Sequence, residues 1–343
     1  MIKVFTYFLK ISVLSAIMIA ELFAGGGRRN GTAGAQELLI PVGARGLAFN
    51  GANLASLEGV EAIFYNPAGL AASNFSSEAM FSYMNYIADI GVSYAAISTS
   101  FEGFGSLGFS IKSIDFGDIP ETTTQNPYGT GSTFSPTFVT VGITYANSLT
   151  DRIQVGVTGN IISENIISTS ATGIAFNVGV QYSNIVDITG LKFGVVLKNF
   201  GPQIVFDGPD LIRQAEAIST LRGLQFYKID GAKFELPSQI QLGLSYERNI
   251  SEDSKFLVIG SFENNNFSND DYKVAGEFAF KEAFFLRGGY SYMPGSEEEQ
   301  LFGSTFGAGF NINSGIDITV DYAYRYARYF EPNHVFTMKL AIE

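Results

Sequence analysis

The side chains able to do chemistry are few, and their types narrow what this sequence can do. It holds one histidine, His334, and no cysteine. Thiol nucleophiles and thiolate metal sites are therefore excluded. A hydrolytic centre needs a nucleophile, a base and an orienting group in contact, and only one imidazole is on offer. His334 shares its parity with Phe336, Met338, Leu340 and Ile342 in an alternating segment, the position of a surface or interfacial histidine. Gly103-Phe104-Gly105-Ser106-Leu107-Gly108 matches a GxGxxG pattern, but a dinucleotide site needs a helix to follow. Leu107, Phe109 and Ile111 instead continue as a strand, so these glycines read as turn and strand residues. Glu263-Asn264-Asn265-Asn266 with Asn269-Asp270-Asp271 offers oxygen ligands of the kind Ca²⁺ takes. The spacing fits no complete loop motif and reads as a solvated hairpin loop, as does Glu297-Glu298-Glu299. The expectation is a protein that is not an enzyme and uses no cofactor or metal.

Composition points to a different kind of molecule. Charged residues are 16% of the chain, and there are 38 glycines, 31 phenylalanines and 17 tyrosines but no tryptophan; soluble domains average nearer ~25% charged residues. The formal net charge of −12 argues against nucleic acid as a partner, because phosphates would be repelled. At the start, Lys3 and Lys10 precede an apolar run from Ile11 to Ala20, and Leu22-Phe23-Ala24 ends it with a small residue. That is the layout of a secretory signal peptide over residues 1–24; a retained membrane anchor would want ~18 or more apolar residues. No later apolar run is long enough to span a bilayer as a helix.

From about residue 77 the pattern has a period of two, the signature of strands. Ile316, Ile318, Val320, Tyr322, Tyr324 and Tyr326 alternate with Asp317, Thr319, Asp321, Ala323 and Arg325. Tyr272, Val274, Phe278 and Phe280 alternate with Lys273, Ala275, Glu277 and Ala279. A soluble sandwich also alternates. Here, however, the apolar face is large and aromatic on nearly every strand, and the aromatics gather near strand ends, as at Tyr290 and Tyr292. Short and long connections also take turns. Those features predict an all-β fold, an antiparallel transmembrane β-barrel of about fourteen strands over residues 77–343. The expected starts are Ser77, Ile90, Gly105, Pro136, Arg152, Ala171, Leu191, Ser238, Lys255, Asp271, Ala283, Phe302, Gly315 and Asn333. By the barrel rule, short turns face the periplasm and both chain ends fall there. In the long connection from Gly201 to Pro237, the spacing of Leu211, Ile212, Ala215 and Ile218 predicts a helix over about Pro209 to Leu221.

Charges on the polar parity should line the lumen, among them Glu277, Arg287, Asp317, Asp321 and Arg325. Their mixed signs suggest a crosslinked interior more than a selectivity ring of one sign. Residues 25–76 do not alternate and are rich in small residues, as expected of a segment folded into the barrel mouth or lumen. Within it, Pro67 restricts Asn66 to extended geometry, and Gly69 permits a tight reversal. Arg45 is a candidate partner for a lumenal carboxylate such as Asp317 or Asp321.

This N-terminal segment carries a resemblance. Gly31 to Ser56, "GTAGAQELLIPVGARGLAFNGANLAS", followed by Gly59 to Ser73, "GVEAIFYNPAGLAAS", resembles the start of the PorV/PorQ family of outer-membrane proteins, relatives of FadL-type fourteen-stranded barrels. The matching elements are Gly43-Ala44-Arg45-Gly46, Gly51-Ala52 and Asn66-Pro67-Ala68-Gly69-Leu70. The resemblance implies an N-terminal hatch, residues 25–76, lying inside the barrel, with Gly43, Ala44, Arg45, Asn66, Pro67, Ala68 and Gly69 as its hatch or gating motif. Phe49-Asn50 and Leu57-Glu58 depart from the family pattern, and Asp207 to Glu235 looks like an insertion. Resemblance to PorV implies a partner or shuttle in type IX-like protein secretion, meeting secreted cargo or a translocon. The alternative is a FadL-like conduit for small hydrophobic molecules; a general porin and an enzyme rank lower. Either main reading places the protein in outer-membrane lipid.

Overall fold

The computed structural model describes residues 29–342 apart from 30, 217–223, 296–299 and 314. The expected signal peptide, 1–24, lies outside the described residues. Fourteen strands close into one antiparallel barrel. They are β1 (Ser77–Asn85), β2 (Gly91–Phe101), β3 (Gly105–Asp115), β4 (Thr137–Thr150), β5 (Ile153–Ile166), β6 (Thr169–Ser183), β7 (Leu191–Phe200), β8 (Gln239–Ser251), β9 (Ser254–Asn265), β10 (Asp271–Phe280), β11 (Phe284–Tyr292), β12 (Phe302–Asn313), β13 (Asp317–Ala327) and β14 (Asn333–Ile342). Each start lies within about two residues of the position read from the alternation. The ring closes where β1 pairs with β14, in register from Ser77 opposite Ile342 to Asn85 opposite His334.

The period of two divides the wall into two surfaces. On β13, Thr319, Asp321, Ala323 and Arg325 are buried, while Val320 and Tyr326 are exposed. The same split runs round the ring, where Phe81, Ile97, Ile143, Leu286, Phe306 and Phe336 all point outward and are exposed. An outside this apolar is the surface of a barrel that stands in lipid. No helix among the described residues is long and apolar enough to cross a membrane, so the strands are the crossing elements. Aromatic side chains mark both rims. Tyr290, Tyr292 and Tyr326 lie toward one end, and Phe101, Phe104, Phe284 and Phe310 toward the other. Phe284 and Phe310 pack with ring centroids 4.9 Å apart.

Connections differ between the two ends. Residues 102–104, 151–152, 252–253 and 281–283 make short turns at the end that also holds the start of β1 and the close of β14. At the other end, long connections run over 116–136, 201–238 and 293–301.

In the second of these, the structure replaces the expected helix with strands. Pro209–Leu211 is a single 3₁₀ turn, after which Ile212–Glu216 pairs antiparallel with Leu224–Lys228. Ile218 lies outside the described residues. Three or four apolar residues in so short a window fit a helical period as readily as an irregular one. Cross-strand pairs such as Gln214 opposite Phe226 decide the outcome.

Residues 31–76 occupy the lumen, as α1 (Ala44–Ala48), α2 (Ala62–Tyr65) and 3₁₀ turns at Gln36–Leu39, Gly59–Glu61 and Pro67–Ala72. Phe49, Leu47, Leu54, Leu57 and Leu70 are among the most completely buried side chains of the molecule. The hydrophobic core is therefore the seam between this segment and the inner wall: Val60, Ile63 and Leu70 pack with Met80, Tyr94 and Ala146 of β1, β2 and β4.

The two surfaces differ in what a probe should meet. Val320→Arg would place a cation in lipid and cost about 2–4 kcal/mol near the midplane, read as a lowered denaturant midpoint in refolding from urea. A cysteine at Val320 should react with a lipid-confined reagent and resist a water-soluble one. Protection from both reagents would mean that the residue packs against protein, and the membrane barrel would be rejected.

Candidate functional site

The hatch is seated by matching small residues on both partners. Asn66 is extended (φ −150°) and caps the 3₁₀ turn that Pro67 opens, its Oδ1 accepting from the Ala68 amide at 3.2 Å. Its Nδ2 donates to the Leu54 carbonyl (2.9 Å) and to the Val180 carbonyl of β6 (3.2 Å). The close approach to the wall requires glycine there. A Cβ at Gly179 would collide with Asn66 Oδ1, and one at Gly156 with the Pro67 backbone. Gly69 in turn lies against the Leu57 carbonyl and Ala62.

At the other end of the motif, Gly43 has φ +77° and precedes α1. The Ala44 amide donates to Thr337 Oγ1 of β14 at 2.8 Å. Gly46 leaves room for the Tyr65 ring, whose hydroxyl donates to the Val42 carbonyl at 2.8 Å.

Charged side chains in the lumen then form two tiers, the first tying hatch to wall and the second linking strands of the wall to one another. In the tier nearer the short turns, Arg45 pairs with Glu61 of the hatch (3.4 Å) and Glu277 of β10 (3.5 Å). Arg287 bonds Glu277 (2.5 Å) and Asp321. Lys339 stands 3.9 Å from Glu61. Of the two partners considered for Arg45, neither pairs with it directly: Asp321 is taken by Arg287, and Asp317 by Asn311 and Asn313. Asp317 sits at the rim of β13, and Asp321, four residues further along, lies at the level of Arg287. Burial alone would push the Glu61 carboxyl up, but Lys339, Arg45 and Arg287 outweigh it and hold it below the ordinary carboxylate range.

In the tier nearer the long loops, Lys273 bonds Glu263 at 2.7 Å and lies 3.5 Å from Asp271. Gln239 and Gln241 donate to the two oxygens of Glu263 at 2.7 and 2.9 Å. Glu263 is thus turned into the lumen, as its strand parity indicates, and not into the solvated loop suggested by Asn264-Asn265-Asn266. No group of three or more metal-binding side chains is found among the described residues. Arg325 donates from Nε to Asn333 Oδ1 (2.9 Å), and the Phe302 ring lies 3.6 Å from its Cζ.

Two spaces flank the hatch. At the long-loop end a vestibule of about 690 Å³ is bounded below by hatch residues 33–41. Its walls are largely apolar, with Ile114, Phe116, Phe138, Phe206, Phe234 and Phe302, and its charged lining is Glu37, Glu164, Glu263 and Arg325. A space of about 530 Å³ at the short-turn end is lined by polar and charged groups, among them Arg45, Glu58, Glu247, Glu277 and Asp317.

Several of these residues were not evident from the sequence. Glu61 lies inside the segment that carries the family resemblance, and its value comes from Arg45, which is adjacent only in the fold. Lys112 and Glu164 stand on the lumenal parity of β3 and β5, so continuing the parity reading into those strands would have found them.

Removing Arg287 would leave Asp321 without its cation and Glu277 with Arg45 alone. Arg287→Ala should cost about 3–5 kcal/mol, measured by urea unfolding, with Asp317→Asn having little effect. Acidification gives a second test. A carboxyl held lower in the folded state stabilises the fold at neutral pH, and that contribution is lost as pH falls below the ordinary carboxylate range through its folded value. Glu61→Gln should therefore lower stability near neutrality and weaken its dependence on pH under acid conditions.

Comparison with known proteins bears on the fold. No protein-family model matches the chain, and no curated protein does, so neither comparison shows the PorV/PorQ family. Solved structures do match. A FadL homologue of Pseudomonas aeruginosa aligns with TM-score 0.54 and 12% identity over 88% of this chain and 98% of that one. The toluene transporter TodX of Pseudomonas putida aligns with TM-score 0.51 and 12% identity, covering 84% and 93%. The toluene transporter TbuX of Ralstonia pickettii aligns with TM-score 0.50 and 11% identity, covering 83% and 94%. At such identities the likeness is one of architecture: this chain has the FadL-like barrel fold.

Proposed function

We propose that the protein is an outer-membrane conduit for small, largely apolar molecules, with the hatch as the element that separates entry from exit. The vestibule carries this reading. It is a space of about 690 Å³ lined mainly by aromatic and aliphatic side chains, at the end with the long loops and directly above the hatch. Ligand sites are commonly apolar clefts of about 300–1,000 Å³ with a few placed polar groups, and a general porin would have a polar water-filled lumen. The fold-level likeness to structures described as toluene transporters agrees with this reading. Long loops outside and short turns in the periplasm place the vestibule at the cell exterior. A secretion partner would want a groove for a polypeptide, and no observation favours that reading over the conduit.

Passage requires the hatch to move or deform, because its residues are packed against the wall on all sides of the lumen. The ion pairs of Arg45 and the bond from the Ala44 amide to Thr337 are the contacts that such a movement must break or bypass.

The test is uptake into cells whose lipopolysaccharide-bearing outer membrane retards apolar solutes. Expression of the chain should raise the initial uptake rate of a labelled monoaromatic hydrocarbon several-fold. Ala44→Cys with Thr337→Cys, joined by a short thiol crosslinker, should return the rate to background. The chain has no cysteine of its own to confuse the labelling. Correctly folded barrel in the outer membrane with no gain in uptake of the hydrocarbon or of a medium-chain fatty acid would reject the conduit.

A further inference from the structure

We infer that the vestibule is built for a small zwitterion with an apolar body, such as a short unblocked peptide of apolar residues, with its ammonium on Glu37 and Glu164 and its carboxylate on Arg325. This rests on the conduit reading and names the class of molecule conducted.

The inference starts from polar atoms that the protein leaves unmatched. Glu37 is 4% exposed and lines the vestibule; among the described residues no amide, hydroxyl or cation donates to its carboxyl oxygens, and the side chain they meet is the carboxyl of Glu164. Glu164, from the end of β5, lines the same space and is an electrostatic neighbour of Glu37. Among the described residues no cation lies within ion-pair distance of either carboxylate. The nearby ammonium of Lys112 acts on the Glu37 carboxyl through space, while its hydrogen bonds go to the carbonyls of Glu37 (2.6 Å) and Ile40 (3.3 Å). On the facing wall, Arg325 is 4% exposed and also lines the vestibule. Asn333, Tyr86 and the Phe302 ring hold its guanidinium in place, and its Nη2 has no partner.

Buried polar atoms without a donor or acceptor are costly, and here Glu37 and Arg325, of opposite sign and each with unmatched atoms, face one chamber. They cannot neutralise each other directly: Glu164 stands on β5 and Arg325 on β13, which lie on opposite sides of a fourteen-strand ring. A molecule with a cation at one end and an anion at the other would serve both. Apolar surface at Phe116, Phe138 and Phe234 is available between them. Extended peptide spans up to roughly 3.3–3.6 Å per residue, so the length of the molecule sets whether its two ends meet both walls. A singly charged amphiphile fits less well. A fatty acid would answer Arg325 but leave the carboxylate pair unmet, and an alkyl amine would do the reverse.

The other charges on the chamber do not alter this balance. Glu263 is already bonded by Lys273, Gln239 and Gln241.

The probes are trileucine, its N-acetyl and C-amide forms, decanoate and decylamine, titrated calorimetrically into the purified full-length barrel in detergent. Trileucine should bind, and blocking either end should weaken it by about tenfold or more, as expected for loss of a charge-assisted hydrogen bond. Glu37→Gln should weaken free trileucine and leave the N-acetyl form unchanged. Arg325→Gln should do the same with respect to the C-amide form. Glu164→Gln serves where Glu37→Gln does not give a heat-modifiable folded barrel. Equal binding of free and blocked peptide would overturn the inference. So would binding of decanoate but not trileucine, an outcome that leaves the conduit standing. Water alone filling the chamber, with no probe bound, also overturns it; the hydrocarbon-uptake experiment then decides separately whether the conduit survives.

Discussion

A strand that stands in hydrocarbon has no water to satisfy its amides, so every backbone donor and acceptor must find a partner within the protein. In a sheet that demand is met only by closure, and the pairing of β1 with β14 is what supplies it. Once the ring is closed, each residue of a strand points either to lipid or to the lumen. The low charge content, the abundance of phenylalanine and tyrosine outside, and the small and polar residues inside all follow from that division.

Closure creates an interior that must then be filled. A fourteen-strand ring is too wide for its own side chains to occupy, and the small-residue segment 31–76 takes the space. Its seat depends on absent side chains as much as on present ones. Gly156 and Gly179 of the wall let the Asn66-Pro67 backbone come within contact distance, and Thr337, Gln181 and Thr305 bond hatch backbone. The Arg45–Glu61–Glu277–Arg287–Asp321 network adds direction: each buried charge is matched by a neighbour from another element. Pairing of this kind favours one docking geometry over alternatives even where its net contribution to stability is small.

The contrast between the two tiers and the vestibule is where structure turns toward function. Where hatch meets wall, charges are paired. In the chamber above it, Glu37 and Arg325 are buried and retain unmatched atoms. Unmatched atoms also occur where hatch meets wall, at Arg45 Nε and on the Asn53 amide, so what sets Glu37 and Arg325 apart is that both face one largely apolar chamber.

By itself the sequence determined the barrel. A period of two sustained through Val320, Asp321 and Tyr322 and their counterparts on every strand cannot be satisfied by another arrangement when the outer face is this apolar. Turn residues such as Lys281-Glu282 then set the strand ends. The sequence also marked Asn66, Pro67 and Gly69, because proline and glycine limit the backbone locally. What it did not carry were partnerships between distant positions. Arg45 could be read as a residue in need of a carboxylate, but the choice of Glu61 and Glu277 over Asp317 depends on which strand levels the hatch reaches. The strand pairing of Ile212–Glu216 likewise depends on Leu224–Lys228 and not on the spacing within the segment. The vestibule, with Glu37 on the hatch and Arg325 across the lumen, exists only once the ring has closed around the hatch, because its facing walls come from positions hundreds of residues apart.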